Sequence, residues 1–381
     1  MRILMIATDF PYLSKEGVRM QGGGPACVAQ LAQALHEQGK DVAVVTRGEG
    51  GEKEGYGFPI FRTFYLNLGF RDSKITHSFW AALKALSLAN KFDIIHSHNP
   101  SAGIAGVVTS KLKKKPHILT MHGPWAGVRQ NRFVRWAAEL IEGWVGRNSD
   151  FVTCDSAELV EIMRRYGIPP NKLRYIPNAV DVGIFKRING KEAREKLGIR
   201  SDEPLVLYTG RFVEEKGLPY LLEAAAEILE KRKVLFFLVG GGFDEKIVKD
   251  WLVRNHQFKN RILVKPFVEY ETMPFLYNAS DVFVLPSFAE GMSRAVLEAM
   301  ACEIPVVGTG VGGNLQLLKE GRGILVPIKN SGKIADALEK LLASKKLRGE
   351  MGKKSRAFVK KNMSVRVRVG AFMEVYKKFR K

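Results

Sequence analysis

The chain has 381 residues, 60 Lys and Arg against 39 Asp and Glu, and three cysteines. This length predicts two domains, since one hydrophobic core rarely organises so many residues. The composition, 46% apolar and 26% charged, is that of a globular protein and excludes a disordered chain. Isolated cysteines exclude a disulfide framework and favour a cytoplasmic location. The first apolar run is too short for a signal peptide or a membrane span, so it predicts a strand.

Short runs rich in Ile and Val alternate with helical patterns through the first half of the chain. Strands are predicted at 2–8, 41–46, 93–97, 117–121 and 151–153, and a helix at 25–38. This order predicts a doubly wound parallel sheet with right-handed crossovers.

The alternation stops near residues 176–200 and then begins again. Strands are predicted at 205–209, 234–239, 262–264, 282–285 and 304–307, and helices at 218–231, 244–255, 271–279 and 293–301. The predicted fold class is therefore α/β, with two tandem Rossmann-like domains.

A glycine cluster, Gly22, Gly23 and Gly24, precedes Pro25 and the first predicted helix. Glycines let a ligand approach the backbone, and the amides at a helix start attract anions. A plain tight turn remains the alternative. The spacing is not the dinucleotide fingerprint, and the second strand ends in Arg47 rather than an acidic residue, which disfavours NAD.

Two cations follow the first strand of the second domain. Arg211 offers a planar fork and Lys216 a point charge, at the sheet edge where ligands bind in open α/β sheets. The pair is suited to the two phosphates of a diphosphate, although solvated side chains are the alternative.

The segment 286–300 carries two carboxylates and turns into a helix after Gly291. Glu290 is predicted to lie on the loop and Glu298 within the helix. A buried Glu298 requires hydrogen-bonding partners, for which sugar hydroxyls are suitable. The alternative is a Glu298 on the wet face of an amphipathic helix.

Three histidines, His96, His98 and His122, are predicted at strand ends in the first domain. His122 is the most suggestive, because its ring can bind a substrate hydroxyl or phosphate. No carboxylate cluster is evident beside them, and no Asp-x-Asp occurs in the chain. No metal site or other cofactor is therefore predicted, and a bound diphosphate is expected to be neutralised by cations and helix dipoles.

These motifs together resemble the retaining glycosyltransferases of family 4, which have the two-domain GT-B fold. The likeness covers nearly the whole chain and is carried by an ordered set of segments: Gly22-Gly23, Asp93-Ile-Ile-His-Ser-His, Thr120-Met-His-Gly, Ile176-Pro-Asn-Ala-Val-Asp, Gly210-Arg-Phe-Val-Glu-Glu-Lys-Gly, Glu290 to Glu298, and Pro305-Val-Val.

The resemblance implies transfer of a hexosyl group from a nucleotide-diphosphate sugar to a saccharide or lipid-linked acceptor, by a metal-independent front-face mechanism. By residue, it implies that Arg211 and Lys216 hold the diphosphate and that Glu298 binds the ribose. Glu290 would contact the transferred sugar, together with the turn of Gly291, Met292 and Ser293. His122 would also bind that sugar, and the Gly22 to Gly24 loop would contact phosphate or acceptor.

The resemblance also sets the expected domain limits. They are 1–186 for the acceptor-side domain, joined by a closing helix at 363–381, and 187–362 for the donor-binding domain. Ser293, Arg294, Glu303 and the run from Asn314 to Gln316 depart from the family pattern near the sugar pocket. Arg294 would suit an acidic sugar.

Two other functions remain open on the sequence alone. A nucleotide-sugar 2-epimerase shares the architecture but usually needs carboxylates and histidines placed for proton abstraction. A nucleic-acid-binding protein is suggested by the charge, yet 17 of the basic residues lie in 329–381 against four acidic ones, without an aromatic stacking platform. No nucleic-acid partner is therefore expected.

Weak peripheral contact with an anionic membrane is a separate expectation. Basic residues at 111–115, Arg129, Arg132 and Arg135 interleave with Trp125, Phe133 and Trp136. Packing of these aromatics in the core is the favoured alternative.

Overall fold

The computed structural model describes residues 1–14, 17–19, 23–48, 55–65, 73–123, 132–241, 245–266 and 268–380. The chain divides into two compact units: unit 1 comprises Met1–Asn178 and Val365–Lys381, and unit 2 comprises Ala179–Ser364. The limits expected from the sequence were 186 and 363, within eight residues of these divisions. No described helix is long and apolar enough to cross a bilayer.

Unit 1 is built on a seven-stranded parallel sheet. The strands of this sheet are β1 (Arg2–Ala7), β4 (Asp41–Arg47), β5 (Ile60–Thr63), β6 (Ile94–His98), β7 (His117–Met121), β8 (Phe151–Cys154) and β9 (Leu173–Tyr175). Two further strands, β2 (Tyr12–Ser14) and β3 (Gly17–Arg19), form a separate antiparallel hairpin. The sheet order is β5-β4-β1-β6-β7-β8-β9. The strands β1, β6 and β7 are buried almost throughout, because helices cover both faces of the sheet.

The helices of unit 1 up to residue 165 are α1 (Gly23–Glu37), α2 (Ser73–Leu88), α3 (Asn99–Lys113), α4 (Arg132–Asn148) and α5 (Ala157–Arg165). Helices α2 and α3 pack side by side and cover one face of the sheet, where Leu4, Ile6 and Ile95 meet Ala85 and Ala102. Helix α1 packs on Ile3, Met5 and Val44, which point to the other face.

Unit 2 contains a six-stranded parallel sheet. Its strands are β10 (Leu205–Thr209), β11 (Leu235–Val239), β12 (Ile262–Lys265), β13 (Val282–Leu285), β14 (Val306–Thr309) and β15 (Ile324–Val326). Its helices are α6 (Gly190–Lys196), α7 (Leu218–Lys231), α8 (Glu245–Arg254), α9 (Met273–Ala279), α10 (Arg294–Ala301), α11 (Gly313–Leu318), α12 (Ser331–Ala343) and α13 (Lys345–Asn362).

The last helix, α14 (Val365–Lys377), belongs to the core of unit 1. Its residues Val369, Phe372, Val375 and Tyr376 are each at most 1% exposed and pack with α1 and with Ile3 and Met5 of β1. Unit 1 is therefore assembled from both ends of the chain, whereas unit 2 is continuous.

Both sheets have a point at which the strand order reverses. In unit 2 the order is β12-β11-β10-β13-β14-β15. The chain adds β11 and β12 on one side of β10, then crosses back and adds β13, β14 and β15 on the other side. In unit 1 the corresponding pair is β1 and β6. In open α/β sheets a crevice forms at this place beyond the carboxyl ends of the strands, and ligands bind there. The predicted fold class, two Rossmann-like α/β units, is confirmed.

Candidate functional site

The loop after β10 places both predicted cations at the reversal point of unit 2. Arg211 is exposed, and its guanidinium makes no hydrogen bond to the described residues. Lys216 ends a short 3₁₀ turn, Glu214–Lys216, that leads into α7. Gly217 follows with φ +70°, and a Cβ there would overlap the backbone carbonyl of Pro286. Only glycine therefore allows the β10 loop to lie this close to the loop after β13.

The loop after β13 brings Glu290 against Lys216. Lys216 Nζ donates to Glu290 Oε1 at 2.7 Å, and Ser287 Oγ donates to the same oxygen at 2.7 Å. The backbone of Phe288 also donates to the carbonyl of Glu215 at 2.8 Å, which ties the two loops together. Glu290 Oε2 receives neither side-chain bond, and two of the three protons of Lys216 remain for another acceptor. A cation and a carboxylate are thus held side by side at the sheet edge.

The turn of Gly291, Met292 and Ser293 connects Glu290 to α10. Ser293 caps the helix, since its Oγ accepts a hydrogen bond from the amide of Val296 at 3.4 Å. The amide of Gly313 donates to the carbonyl of Gly291 at 2.5 Å. The predicted donor turn is therefore fixed from both sides.

Glu298 lies inside unit 2 and has protein partners. The side chain is 6% exposed; Tyr277 Oη donates to Oε2 at 2.9 Å, and Arg294 Nη2 donates to Oε1 at 3.2 Å. Burial raises the pKa of Glu298, and the bonds from Arg294 and Tyr277 only partly oppose this. The wet-face alternative for Glu298 is wrong, because the α10 surface bearing it faces Tyr277 of α9.

Arg294, the residue that departs from the family pattern, is 8% exposed and is paired within the protein. Besides Glu298, its Nη2 contacts Tyr270 Oη at 3.4 Å, and its guanidinium lies 5.8 Å from the Tyr270 ring centroid. The sequence interpretation missed both Tyr277 and the role of Arg294. The four-residue spacing of Arg294 and Glu298 on a helix was the available signal.

At the carboxyl edge of unit 1, three titratable side chains that follow or end three neighbouring strands lie in a row. His98 ends β6, His122 follows β7, and Asp155 follows β8. His98 Nδ1 lies 3.0 Å from His122 Nε2, and His122 Nδ1 lies 3.6 Å from Asp155 Oδ2. The sequence shows no carboxylate cluster beside these histidines, but the parallel register brings the end of β8 beside that of β7 and so places one carboxylate, Asp155, near His122.

This row of three side chains is buried, and some of its polar atoms lack a hydrogen bond to the described residues. Asp155 Oδ2 accepts from Asn178 Nδ2 at 3.0 Å, while Asp155 Oδ1 and His98 Nε2 have no partner within the described part of the protein. The amide of His122 donates to Asn99 Oδ1 at 3.0 Å, and Asn99 has φ +67° at the end of β6. The sequence interpretation named His122 and missed Asp155. Asp155-Ser156, preceding a helical pattern, was its only signal.

A second buried group joins β6 and β7 to α14. His96 Nδ1 lies 2.7 Å from Tyr376 Oη, and His96 Nε2 lies 2.6 Å from Thr120 Oγ1. Burial holds the pKa of His96 and of His98 well below the usual range, so both rings are neutral at neutral pH. Both ring nitrogens of His96 lie within hydrogen-bonding distance of hydroxyl groups, so this residue has a structural role in the core.

The glycine cluster is only partly described. Gly22 lies outside the described residues, whereas Gly23 and Gly24 form the first turn of α1. Apart from its chain neighbours and the backbone of α1, an added Cβ at Gly24 would meet no atom of the described residues within 4 Å. In the described ranges, no three His, Cys, Asp or Glu side chains are grouped as ligands for a metal ion.

The chain matches two family descriptions. Residues 189–358 match Glycosyl transferases group 1, and residues 21–183 match Glycosyltransferase Family 4. An alpha-D-kanosaminyltransferase of Streptomyces kanamyceticus is 30% identical over 68% of this chain and 70% of that protein. The UDP-Gal:alpha-D-GlcNAc-diphosphoundecaprenol alpha-1,3-galactosyltransferase of Escherichia coli is 29% identical over 80% and 79%.

Two solved structures share the fold. Sucrose-phosphate synthase from Thermosynechococcus elongatus has a TM-score of 0.84 at 23% identity, covering 99% of both chains. Anabaena HepE in complex with UDP-glucose has a TM-score of 0.81 at 20% identity, covering 99% of this chain and 100% of that one. The chain belongs to the group 1, family 4 glycosyltransferases and has their GT-B fold of two Rossmann-like domains.

Proposed function

We propose that this glycosyltransferase moves a hexosyl group from a nucleotide-diphosphate sugar to a saccharide or lipid-linked acceptor, with retention and without a catalytic metal. The observation that carries the proposal is the placement of Arg211, Lys216 and Glu290 together at the reversal point of unit 2. The E. coli relative is named for a UDP-sugar donor, and HepE is in complex with UDP-glucose, which supports this donor class.

In this proposal the two cations hold the diphosphate of the donor. As the bond from the anomeric carbon to the β-phosphate oxygen breaks, negative charge develops on the leaving nucleotide. Lys216, which Glu290 holds in place, and Arg211 offset that charge, so no metal bridge is needed. Arg211 is suited to this role because its guanidinium has no hydrogen bond to the rest of the described protein.

The two carboxylates bind hydroxyl groups. Glu290 is engaged at Oε1 by Lys216 and Ser287, so it is better suited to accept a sugar hydroxyl at Oε2 than to attack the anomeric carbon. Glu298 accepts the ribose hydroxyls through the lone pairs that Tyr277 and Arg294 leave. The buried Arg294–Glu298 pair leaves little net charge there, so we do not assign an acidic sugar.

Retention follows from front-face attack in this scheme. The acceptor hydroxyl forms its bond to the anomeric carbon on the side from which the nucleotide leaves. Its proton passes to the departing phosphate oxygen, so no protein nucleophile takes part.

The acceptor side is assigned to unit 1. His122, oriented by Asp155 and His98, binds a hydroxyl of the transferred sugar, and Gly22, Gly23 and Gly24 contact phosphate or acceptor. The E. coli relative is named for an undecaprenol-linked acceptor, so we include lipid-linked saccharides among the acceptors.

The donor assignment is tested by thermal unfolding with UDP-, GDP- and ADP-sugars in the presence of EDTA. A sugar nucleotide at 100 times its Kd stabilises the protein by about 2.7 kcal/mol, which raises the Tm. Arg211→Ala is expected to abolish this rise. The matched control is Arg200→Ala, an exposed arginine on the amino-terminal side of β10, which should retain it.

A rise that survives Arg211→Ala would place the donor elsewhere and contradict the assignment. The anomeric configuration of the product, read by NMR, tests retention separately. If donor alone is converted to its C2 epimer, the protein is an epimerase instead.

A further inference from the structure

Helix α4 is apolar on two opposite faces. On the inner face Ala138, Val145 and Gly146 are buried against unit 1. On the outer face four large apolar side chains are exposed: Phe133 by 72%, Trp136 by 55%, Leu140 by 50% and Trp144 by 43%. Their spacing of three, four and four residues aligns them in one stripe. At 1.5 Å per residue the stripe is about 16 Å long.

The exposed aromatics correct the favoured interpretation of the sequence. Trp136 was expected to pack in the core, but α4 turns its small residues inward and its tryptophans outward. Trp125 and Arg129 lie outside the described residues. Globular proteins rarely expose a contiguous row of large apolar side chains unless a partner covers it.

The surroundings of the stripe are basic. Arg132, Arg135 and Arg147 are exposed on α4 itself. Among the acidic residues of α4, Glu142 is 1% exposed, and Glu139 is paired with Arg135 at 3.0 Å, so the exposed surface keeps the positive charges of Arg132 and Arg147.

This combination selects one kind of partner. A second copy of the chain docking through the same face would bring like charges together, which opposes association. An anionic lipid surface matches both features, because tryptophan rings settle at the headgroup level and arginines reach phosphates while their stems cover apolar surface.

We propose that the outer face of α4, comprising Phe133, Trp136, Leu140 and Trp144 with the flanking Arg132 and Arg147, docks on an anionic phospholipid bilayer. The helix lies parallel to the membrane plane and inserts its aromatic side chains into the headgroup region. This attachment is independent of the donor site and does not rest on the proposed function.

The test is sedimentation of the full chain with vesicles of phosphatidylcholine alone or of two parts phosphatidylcholine to one part phosphatidylglycerol. The protein is expected to bind only the anionic vesicles, more tightly at low salt. The double variant Trp136→Ser/Trp144→Ser is expected to weaken binding roughly tenfold. Val253→Ser, which removes a 76% exposed apolar residue on α8, is expected to have no effect.

Charge is tested with matched pairs. Arg132→Gln/Arg147→Gln removes two positive charges beside the stripe and is expected to weaken binding at least about fivefold. Lys353→Gln/Lys354→Gln removes two exposed charges from α13 and is expected to leave binding within about twofold. Circular dichroism checks that each variant is folded.

Three results would overturn the proposal. The first is a wild-type chain that does not sediment with anionic vesicles at low salt. The second is equal loss of binding in the Arg132/Arg147 and Lys353/Lys354 variants, which would mean that overall charge alone drives binding. The third is a concentration-dependent dimer that disappears in the tryptophan variant without lipid binding, which would identify a second copy as the partner.

Discussion

The two units have the same strand order around their reversal points but carry opposite chemistry there. The edge of unit 1 holds neutral imidazoles and hydroxyls with one buried carboxylate; the edge of unit 2 holds cations paired with carboxylates. The Rossmann-like topology therefore fixes where each site lies, while the loops after the strands decide what it can bind.

The difference also predicts how each unit responds to acid. Burial lowers the pKa of His77 to about 4 and of His117 to about 3, and holds those of His96 and His98 well below their usual range. All four lie in unit 1. Glu298 in unit 2 has a raised pKa instead.

The largest predicted effect is selective loss of stability in unit 1 at low pH. Below about pH 6.5 the four histidines bind protons in the unfolded chain, but they stay neutral in the folded unit. The free energy of unfolding of unit 1 therefore falls by up to roughly 1.4 kcal/mol per pH unit for each histidine. The loss grows as the pH falls toward 4. Hydrogen exchange followed by mass spectrometry at pH 7 and pH 5 measures it for each unit.

Unit 2 provides the comparison within the same molecule. A raised pKa of Glu298 means that the folded unit binds a proton more tightly, so this residue adds stability as the pH falls toward its unfolded value. His77→Leu removes one of the four histidines, so it should reduce the pH dependence of the free energy of unfolding of unit 1 by the contribution of that histidine. Equal loss of protection in both units on acidification would contradict this explanation.

The next effect concerns the charge pair that distinguishes unit 2. Arg294→Met leaves the carboxylate of Glu298 buried without its cation, which is expected to lower the free energy of unfolding of unit 2 by about 3–5 kcal/mol. Urea unfolding, followed by hydrogen exchange of unit 2 peptides, measures this.

Two variants sharpen that prediction. Arg294→Met/Glu298→Gln buries no charge and should recover most of the stability. Arg232→Met breaks the partly exposed pair with Glu339 and should cost at most about 1 kcal/mol. If Arg294→Met costs no more than Arg232→Met, the buried pair is not what holds Glu298.

The smallest effect concerns the carboxylate of unit 1. Asp155→Asn removes the carboxylate charge that lies 3.6 Å from His122 Nδ1 and positions the ring, and misplacing a group beside the reacting atoms can slow a reaction about 100-fold. Sugar transfer should therefore slow about 10- to 100-fold, whereas binding of the nucleoside diphosphate to unit 2 should be unchanged. Steady-state kinetics and calorimetry separate these readouts.

The control for this variant is Asp41→Asn, at the exposed amino end of β4. It removes the same charge from unit 1 at the opposite edge of the sheet and should leave transfer unchanged. Equal slowing by both variants would show that Asp155 has no specific role toward His122.

The sequence predicted the fold well because buried parallel strands leave a clear pattern. The central strands β1, β10 and β13 lie within one residue of their predicted limits, and α7 was predicted with its observed bounds. The edge strands β5, β9 and β15 were missed, since they are short and partly exposed and so lack continuous apolar runs. The hairpin of β2 and β3 was also missed, since each of its strands has only three residues.

The candidate site could be predicted only where its residues lie on the loops that follow the strands at the reversal point. Arg211, Lys216 and Glu290 lie on loops whose place at the sheet edge follows from the strand order. The contact between His122 and Asp155 depends on the register of β7 and β8, and that between Glu298 and Tyr277 on the packing of α9 against α10. No local pattern encodes such contacts between distant segments.

The central claim is that fixed cations of unit 2 bind the donor diphosphate. A crystal structure of the protein with UDP or GDP, grown with EDTA, tests it directly. We expect phosphate oxygens within about 3 Å of the Arg211 guanidinium and Lys216 Nζ. A diphosphate bound elsewhere, or one that binds only when manganese is supplied and bridges it, would contradict the account.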